Sequence, residues 1–413
     1  MRTVVRGRAS WRGVLLALLV AMALGAGCAP ASGSPPAPAK PSGAATAPPA
    51  ASGGGAAVAA PASGTAASGP DSSAATGSAV AAAPAASAAP GQAAMPSPLS
   101  PPQTITYGTS ASVNSAGVYI GIERGYFREL GLDVEIVPFN GAADMFQPLA
   151  ASQLDMGSAD TGAGIFNALA RGLPLRFVAD SNHVESGHSP TAWMIRKDVM
   201  DTGAFHDLPD FRGKRLSGSA RGSSIDSYVQ RTLALAGLTP ADVDLQYVSF
   251  PDVMPAFANQ ALDAAILIEP FATAAVEQGL AVRWKTTADL FGPSHATFIV
   301  FAPSFATQRQ EAGRRFLIAY LRGVRDYRDA FDEGKDQDAV IAILTKYTNI
   351  KDPAVFKKIV VPAIDPNGEM IVQTVKEQQQ WYVDHGFVPT PVDVDEYFDP
   401  SYAEYAVSVI GRR

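Results

Sequence analysis

Two hydrophobic periods alternate along the chain from residue 104 onward. Apolar side chains recur at every second position over 104–108 (Thr-Ile-Thr-Tyr-Gly) and 132–138 (Leu-Asp-Val-Glu-Ile-Val-Pro), which predicts strands. Between them, 118–130 carries Tyr119, Ile122, Tyr126 and Phe127 at helical spacing, and Gly131 supplies the stop. A helix is predicted over 142–152 after the break at Asn140-Gly141, then a short strand over 154–158. A second helix runs from Asp160-Thr161-Gly162 through Ala170, followed by a strand over 175–179. Strands alternating with helices of about ten residues predict a parallel sheet with right-handed crossovers.

The pattern restarts after Pro190. Strands are predicted over 192–196, 215–218, 245–250, 264–268, 282–285 and 297–301, with helices over 223–236 and 253–260. From Gln308 the chain is mainly helical, with Phe316, Leu317, Tyr320, Leu321 and Val324 at helical spacing. Two α/β halves and a helical tail predict two lobes joined at a hinge. The expected boundaries are 103–184 for the first part of lobe 1, 185–300 for lobe 2, and 301–413 for a helical return to lobe 1.

The N-terminal quarter follows other rules. Arg2, Arg6, Arg8 and Arg12, with no acid among them, precede an apolar run over 14–24, and Gly25-Ala26-Gly27-Cys28 closes it. A positive head, a short apolar core and a small-residue exit make a secretory signal over 1–28. The core is too short for a hydrocarbon layer of roughly 30 Å. Cys28, the sole cysteine, stands at the cleavage point of a bacterial lipoprotein signal. There it would carry a lipid such as palmitate and anchor the chain at the extracytoplasmic face of the cell membrane. The lipobox usually has Leu three places before the cysteine; here Gly25 holds that place, after Leu24. The alternative is an ordinary secretory signal with an incidental cysteine. A lone thiol in an exported chain forms no internal disulfide. Residues 29–102 are almost entirely Ala, Pro, Ser and Gly, with no aromatic residue and no isoleucine. Such a segment buries too little to offset its ordering entropy, so it reads as a disordered tether spanning on the order of 50 Å.

Charge narrows the partners. The formal net charge is −7, and −11 once the four signal arginines are removed. An acidic domain with no basic run excludes nucleic acid. No other segment has eighteen uncharged apolar residues in a row, so no further membrane span is predicted. The globular part has no Gly-x-Ser-x-Gly, Walker loop or His-Glu-x-x-His. The run from Gly162 and Gly164 to Asn167 nearly spells a dinucleotide fingerprint, but it ends in Asn and lacks the acidic partner; a glycine-rich strand-to-helix turn accounts for it. His183, Glu185 and His188 are of metal-ligand type, yet they fall in the predicted lobe crossover with no cysteine to join them. No metal and no cofactor is expected.

Several segments, in order, resemble one family. Residues 121–135 (Gly-Ile-Glu-Arg-Gly-Tyr-Phe-Arg-Glu-Leu-Gly-Leu-Asp-Val-Glu) resemble the opening signature of ABC-transporter substrate-binding proteins of the nitrate/sulfonate/taurine and thiamine-precursor branch. Residues 149–157, the helix exit 168–174, Gly213-Lys214 and 258–265 with Glu269-Pro270 resemble later segments of it. Gln260-Ala261 stands where glycine is usual. The resemblance covers 104 to about 321. It implies a type II periplasmic-binding-protein fold, α/β and two-lobed, each lobe a mainly parallel sheet flanked by helices, with a helical C-terminal segment. It further implies a monomeric, non-enzymatic receptor whose partners are a small-molecule ligand and ABC permease and ATPase subunits, or alternatively a sensor. The rival enzyme class, the thiamine-pyrimidine synthases, resembles this family but carries a cysteine-rich motif that this chain lacks. A secreted hydrolase finds no nucleophile–base pair.

In such a fold, ligands lie outside the carboxyl ends of the strands, between the lobes. The candidates are Ser112, Asn114 and Tyr119 after the first strand, and Asn140 and Gly141 after the second. Asp160 and Thr161 follow the third, and Asn182 and His183 the fourth. Lobe 2 offers Ser219, Arg221, Ser223, Ser224 and Glu269, with Trp193 and Phe271 as aromatic walls. Each has an ordinary alternative. Asp160 suits a helix N-cap, and Gly222, Ser223 and Ser224 suit the next one. Glu269-Pro270 suits a strand exit, Trp193 and Phe271 the core, and Arg221 solvent. Two carboxylates at adjacent strand exits, Asp160 and Glu269, would repel an anion and favour hydrogen-bond donors or a cation. Arg221 and the Ser/Gly loop pull towards sulfonate, taurine or nitrate. The balance favours a neutral or weakly basic heterocycle, a thiamine-type pyrimidine or a flavin. Closure is expected about crossovers near Asn182 and Ala296.

Overall fold

The computed structural model describes residues 93–413. The signal over 1–28 with Cys28, and the tether as far as residue 92, lie outside the described residues. The last ten residues expected in the tether pack on lobe 1 instead. Ala93 N donates to Ser408 O at 2.8 Å and Leu99 N to Leu130 O at 3.1 Å, and Leu99 packs against the lobe 1 core. Leu99 gives this segment an apolar side chain to bury, whereas Met95 stays half exposed.

Among the described residues, ten strands form two sheets: β1 (Gln103–Thr109), β2 (Leu132–Pro138), β3 (Met156–Asp160), β4 (Arg176–Val184), β5 (Thr191–Arg196), β6 (Arg215–Ser217), β7 (Asp244–Gln246), β8 (Ala264–Ile268), β9 (Ala281–Thr286) and β10 (Ser294–Phe301). The first sheet has the order β2-β1-β3-β10-β4 and the second β7-β6-β8-β5-β9. Within each, one strand opposes the rest: β10 runs antiparallel to β3 and β4, and β5 antiparallel to β8 and β9. The remaining neighbours are parallel. Each lobe is thus a mainly parallel sheet.

The second sheet shows how sequence makes layers. Successive strand side chains point to opposite faces. In β5, Trp193 and Ile195 enter one core while Ala192 and Met194 enter another. In β8, Ala264 and Ile266 join the first and Ala265 and Leu267 the second. A continuous apolar run such as Ala-Ala-Ile-Leu-Ile therefore needs helices on both faces, as a central strand has.

Lobe 1 has one core, to which the tail contributes heavily. Phe316, Leu317, Tyr320, Leu321 and Val324 of the helix Gln310–Asp332 are buried there. That helix lies so close to Ala116–Glu123 that a Cβ on Gly323 would sit 2.2 Å from the Gly117 carbonyl oxygen.

Three expectations need correction. The strand at 297–301 belongs to the first sheet, between β3 and β4, so the return to lobe 1 comes before Ser294 and not after residue 300. Its apolar run marks a doubly covered strand but does not say which sheet covers it. The crossovers are accordingly 185–190 and 292–293. The helix expected over 118–130 is two, Ala116–Glu123 and Tyr126–Glu129, because Gly125 turns the chain at φ 79°. The strand expected over 245–250 stops at Gln246, since Phe250 already opens the helix Phe250–Ala258 with Pro251 in its first turn. Among the described residues, no helix is long and apolar enough to cross a membrane.

Candidate functional site

A cleft of about 880 Å³ opens where the strand ends of the two sheets face each other. The loop after β1 brings Ser112 and Asn114 to it, the end of β3 brings Asp160 and Thr161, and the end of β4 brings Asn182. From lobe 2 come Ser224, Glu269 and Phe271. These eight sequence candidates line the cavity.

Eight others do not. Tyr119 is fully buried behind the wall, its hydroxyl 2.8 Å from Thr109 Oγ1 and its ring stacked 4.8 Å from Tyr347. Burial pushes its phenol up from the ordinary value. Asn140 and Gly141 follow β2, an edge strand, and lie outside the cleft. His183 is buried, with Nδ1 2.7 Å from Asp180 Oδ2. Trp193 is core, and its indole N–H donates to Thr232 Oγ1 at 3.0 Å. Ser223 caps the helix Ser224–Leu235, accepting from Asp226 N at 3.2 Å, while Ser219 and the exposed Arg221 sit in the turn before it. Ser217, at the start of this loop, is bonded outside it, its hydroxyl accepting from Val248 N at 3.2 Å. Gly222 N donates to Asp226 Oδ2 at 2.8 Å.

The two carboxylates have different lives. Glu269 is 4% exposed at its side chain. Its Oε2 accepts from Thr273 N at 3.0 Å, its Oε1 accepts from Val360 N at 3.3 Å, and the Arg283 guanidinium pairs with Oε1. The free second carboxylate expected from sequence is therefore already neutralised, by an arginine on β9. Asp160 keeps its charge unpaired. Its one hydrogen bond is a long one, from Gly162 N at 3.3 Å, and no basic side chain bridges to it among the described residues. The residue is exposed at the cleft surface, with neighbouring protein removing part of its solvation. Loss of solvation pushes its pKa up, against a smaller opposing effect of the Gly162 N–H. Asp160 is not an N-cap: Gly162 holds that position in the helix Ala163–Ala170.

Asn182 stands across β10 from this carboxylate, the two pairing with Thr297 from opposite sides. Its amide nitrogen donates to Asn114 Oδ1 at 3.1 Å, and its own Oδ1 is buried without a partner. The polar end of the cleft therefore offers acceptors. The rest of the lining is largely apolar: Ile225, Tyr228, Phe250, Ile268 and Phe271 from lobe 2, and Ile350, Val355, Ile359 and Val360 from the tail.

Sequence reasoning missed the tail altogether. Strand exits were the guide, and residues 348–362 belong to no strand. The available signal was a cluster of apolar residues at Ile350, Val355 and 359–361 in a segment too irregular to form its own amphipathic helix. The residues of metal-ligand type each have a partner outside the set, while His183 Nε2 also lies 3.7 Å from Glu185 Oε2. His183 pairs with Asp180, Glu185 with Arg328 at 3.2 Å, and His188 with Asp332 at 3.3 Å. Asn167, at the end of the near-fingerprint, donates to Phe387 O at 2.9 Å.

The same architecture occurs in solved proteins. The periplasmic aliphatic sulphonate binding protein SsuA from Escherichia coli is 20% identical with a TM-score of 0.58, covering 72% of this chain and 92% of its own. The periplasmic nitrate-binding protein NrtA from Synechocystis PCC 6803 is 16% identical with a TM-score of 0.56, covering 75% and 89%. The desulfurization enzyme DSZB is 15% identical with a TM-score of 0.52, covering 74% and 98%. At these identities the likeness shows the fold alone, which transport proteins and an enzyme share. No curated protein sequence matches the chain. A family model described as NMT1/THI5 like matches residues 112–333, from the loop after β1 to the end of the long tail helix and just over half of the chain. With the two sheets, the cleft between them and this match, the chain belongs to the NMT1/THI5 like family and has the two-lobed fold of the periplasmic binding proteins.

Proposed function

We propose that the chain is the extracytoplasmic solute-binding subunit of an ABC importer. It captures a small molecule between its lobes and hands it to permease and ATPase partners in the membrane. It works as a monomer held there by a lipid on Cys28. The observation that carries this reading is the cleft of about 880 Å³ at the strand ends, with the unpaired Asp160 at its polar end. Sites for small molecules are concave, mostly apolar and furnished with a few convergent polar groups.

The ligand is a neutral or weakly basic heterocycle, thiamine-pyrimidine-like or flavin-like. Asp160 and the Asn182 carbonyl favour N–H donors, and Phe250 and Phe271 offer aromatic faces to a flat ring. An anion would meet Asp160 uncompensated. Of the lysines at the rim, Lys358 is paired with Glu277 at 2.6 Å and Lys351 donates to the Lys346 carbonyl at 3.3 Å. Titration calorimetry against thiamine, riboflavin, taurine and nitrate tests the reading. Binding of thiamine or riboflavin with compaction in small-angle scattering is expected, and selective binding of taurine or nitrate refutes the ligand class. Labelling with palmitate tests the anchor: label in wild type and none in Cys28→Ser is expected.

A further inference from the structure

Residues 348–362 belong to lobe 1 by their packing, since Phe356 and Val361 are buried in its core. Their polar bonds nevertheless reach lobe 2. Val360 N donates to Glu269, and Lys358 Nζ pairs with Glu277 Oε1 at 2.6 Å. The two acids flank the short helix Phe271–Glu277, Glu269 accepting from its Thr273 N and Glu277 being its last residue. Phe271, Thr273 and Glu277 on one side, and Lys358, Ile359 and Val360 on the other, line the same cavity. The tail segment is thus fastened along a lobe 2 helix on one side of the cleft.

We infer that Glu269 is a positioning residue and, with Glu277, forms a clasp between the lobes that holds the tail segment as a third wall of the cleft. The inference rests on the cleft being the ligand site. Glu269 suits the task because Arg283 and Thr273 N fix its carboxylate before Val360 arrives, so little freedom is lost when the tail docks. Two polar links near the lobe boundary join or adjoin the crossover segments themselves, Ser189 to Thr287 at 3.2 Å and Tyr228 to Ser294 at 3.4 Å. Opening this side of the cleft therefore requires the Glu269 and Glu277 contacts to break.

Hydrogen exchange of the ligand-free full chain, read by mass spectrometry over 353–361, tests this without any solute. Glu269→Gln keeps one acceptor but loses the charge, and exchange there should rise about ten-fold. Glu277→Ala breaks only a half-exposed pair, and exchange should rise about three-fold with an unchanged thermal midpoint. Combining Glu277→Lys with Lys358→Glu should restore slow exchange, which a residue serving only the stability of lobe 2 would not do. Wild-type exchange in both single variants, or failure of the swapped pair to restore it, overturns the clasp. Because no solute is used, that failure leaves the solute-binding reading standing; failure of every solute in calorimetry would leave the clasp standing.

Discussion

Replacing Asp160 with Asn removes one charge from the cleft and almost no volume. If the ligand donates an N–H to this carboxylate, the variant loses a charge-assisted hydrogen bond of about 1.5–3 kcal/mol. That is roughly a ten- to hundred-fold loss of affinity, at about 1.4 kcal/mol per decade. An anionic ligand gives the opposite sign. Two like charges about 4 Å apart repel by about 4 kcal/mol at the effective dielectric of such sites, so removing one would tighten binding by two or more orders of magnitude. Stability supplies an independent check. Partial loss of solvation raises the Asp160 pKa in the folded state, so its contribution is most favourable below the unfolded-state value and is lost as pH rises through the folded one. The residue is exposed in the cleft and solvent screens the effect, so Asp160→Asn should raise the thermal midpoint at neutral pH only slightly, with the gain vanishing in acid. Calorimetry with thiamine and riboflavin, beside scanning calorimetry, measures both. Unchanged or tighter ligand binding in Asp160→Asn would refute the reasoning.

Three further outcomes follow from the packing and the buried groups. Gly323→Ala places a methyl against the Gly117 carbonyl and should cost about 1–3 kcal/mol or more in urea unfolding; a neutral effect would contradict the close helix contact. Burial lowers the His295 imidazole to about 4, against an opposing pull from Asp180. Stability should therefore fall by about 3 kcal/mol as pH drops from roughly 6.5 to 4, because the unfolded state takes the proton first. The neighbouring His183 works the other way: burial lowers it, but Asp180 more than offsets that, so its imidazole stands above the ordinary value and its contribution fades as pH rises. His295→Gln should flatten the acid limb of the urea-unfolding profile, and an unchanged slope would remove His295 as its source.

Local pattern carried a good deal of this fold. The apolar run of β8, the alternation of β2 and the Gly237 stop after the helix Ser224–Leu235 are all local signals, and local signals survive without tertiary context. The membership of β10 in the first sheet is a long-range fact. Val300 is equally apolar in either lobe, and only pairing with Phe177 and Gly157 decides it. The site divides the same way. Asp160 and Phe271 follow from the rule that parallel strands end at the ligand. The pairing of Glu269 with Arg283 does not, because it joins the exit of β8 to the middle of β9, and β5 separates the two strands in the sheet. Tyr119 and Trp193 were ambiguous in principle: a large amphipathic ring serves a cleft wall or a core, and only neighbours such as Tyr347 and Thr232 settle which.

The central claim is that this cleft receives a donor-bearing solute. Its most direct test is mass spectrometry of the small molecule released by denaturing protein purified under native conditions. One neutral or weakly basic, ring-containing compound at one per chain is expected, depleted in Asp160→Asn preparations. A stoichiometric sulfonate or nitrate, retained in Asp160→Asn, would contradict it.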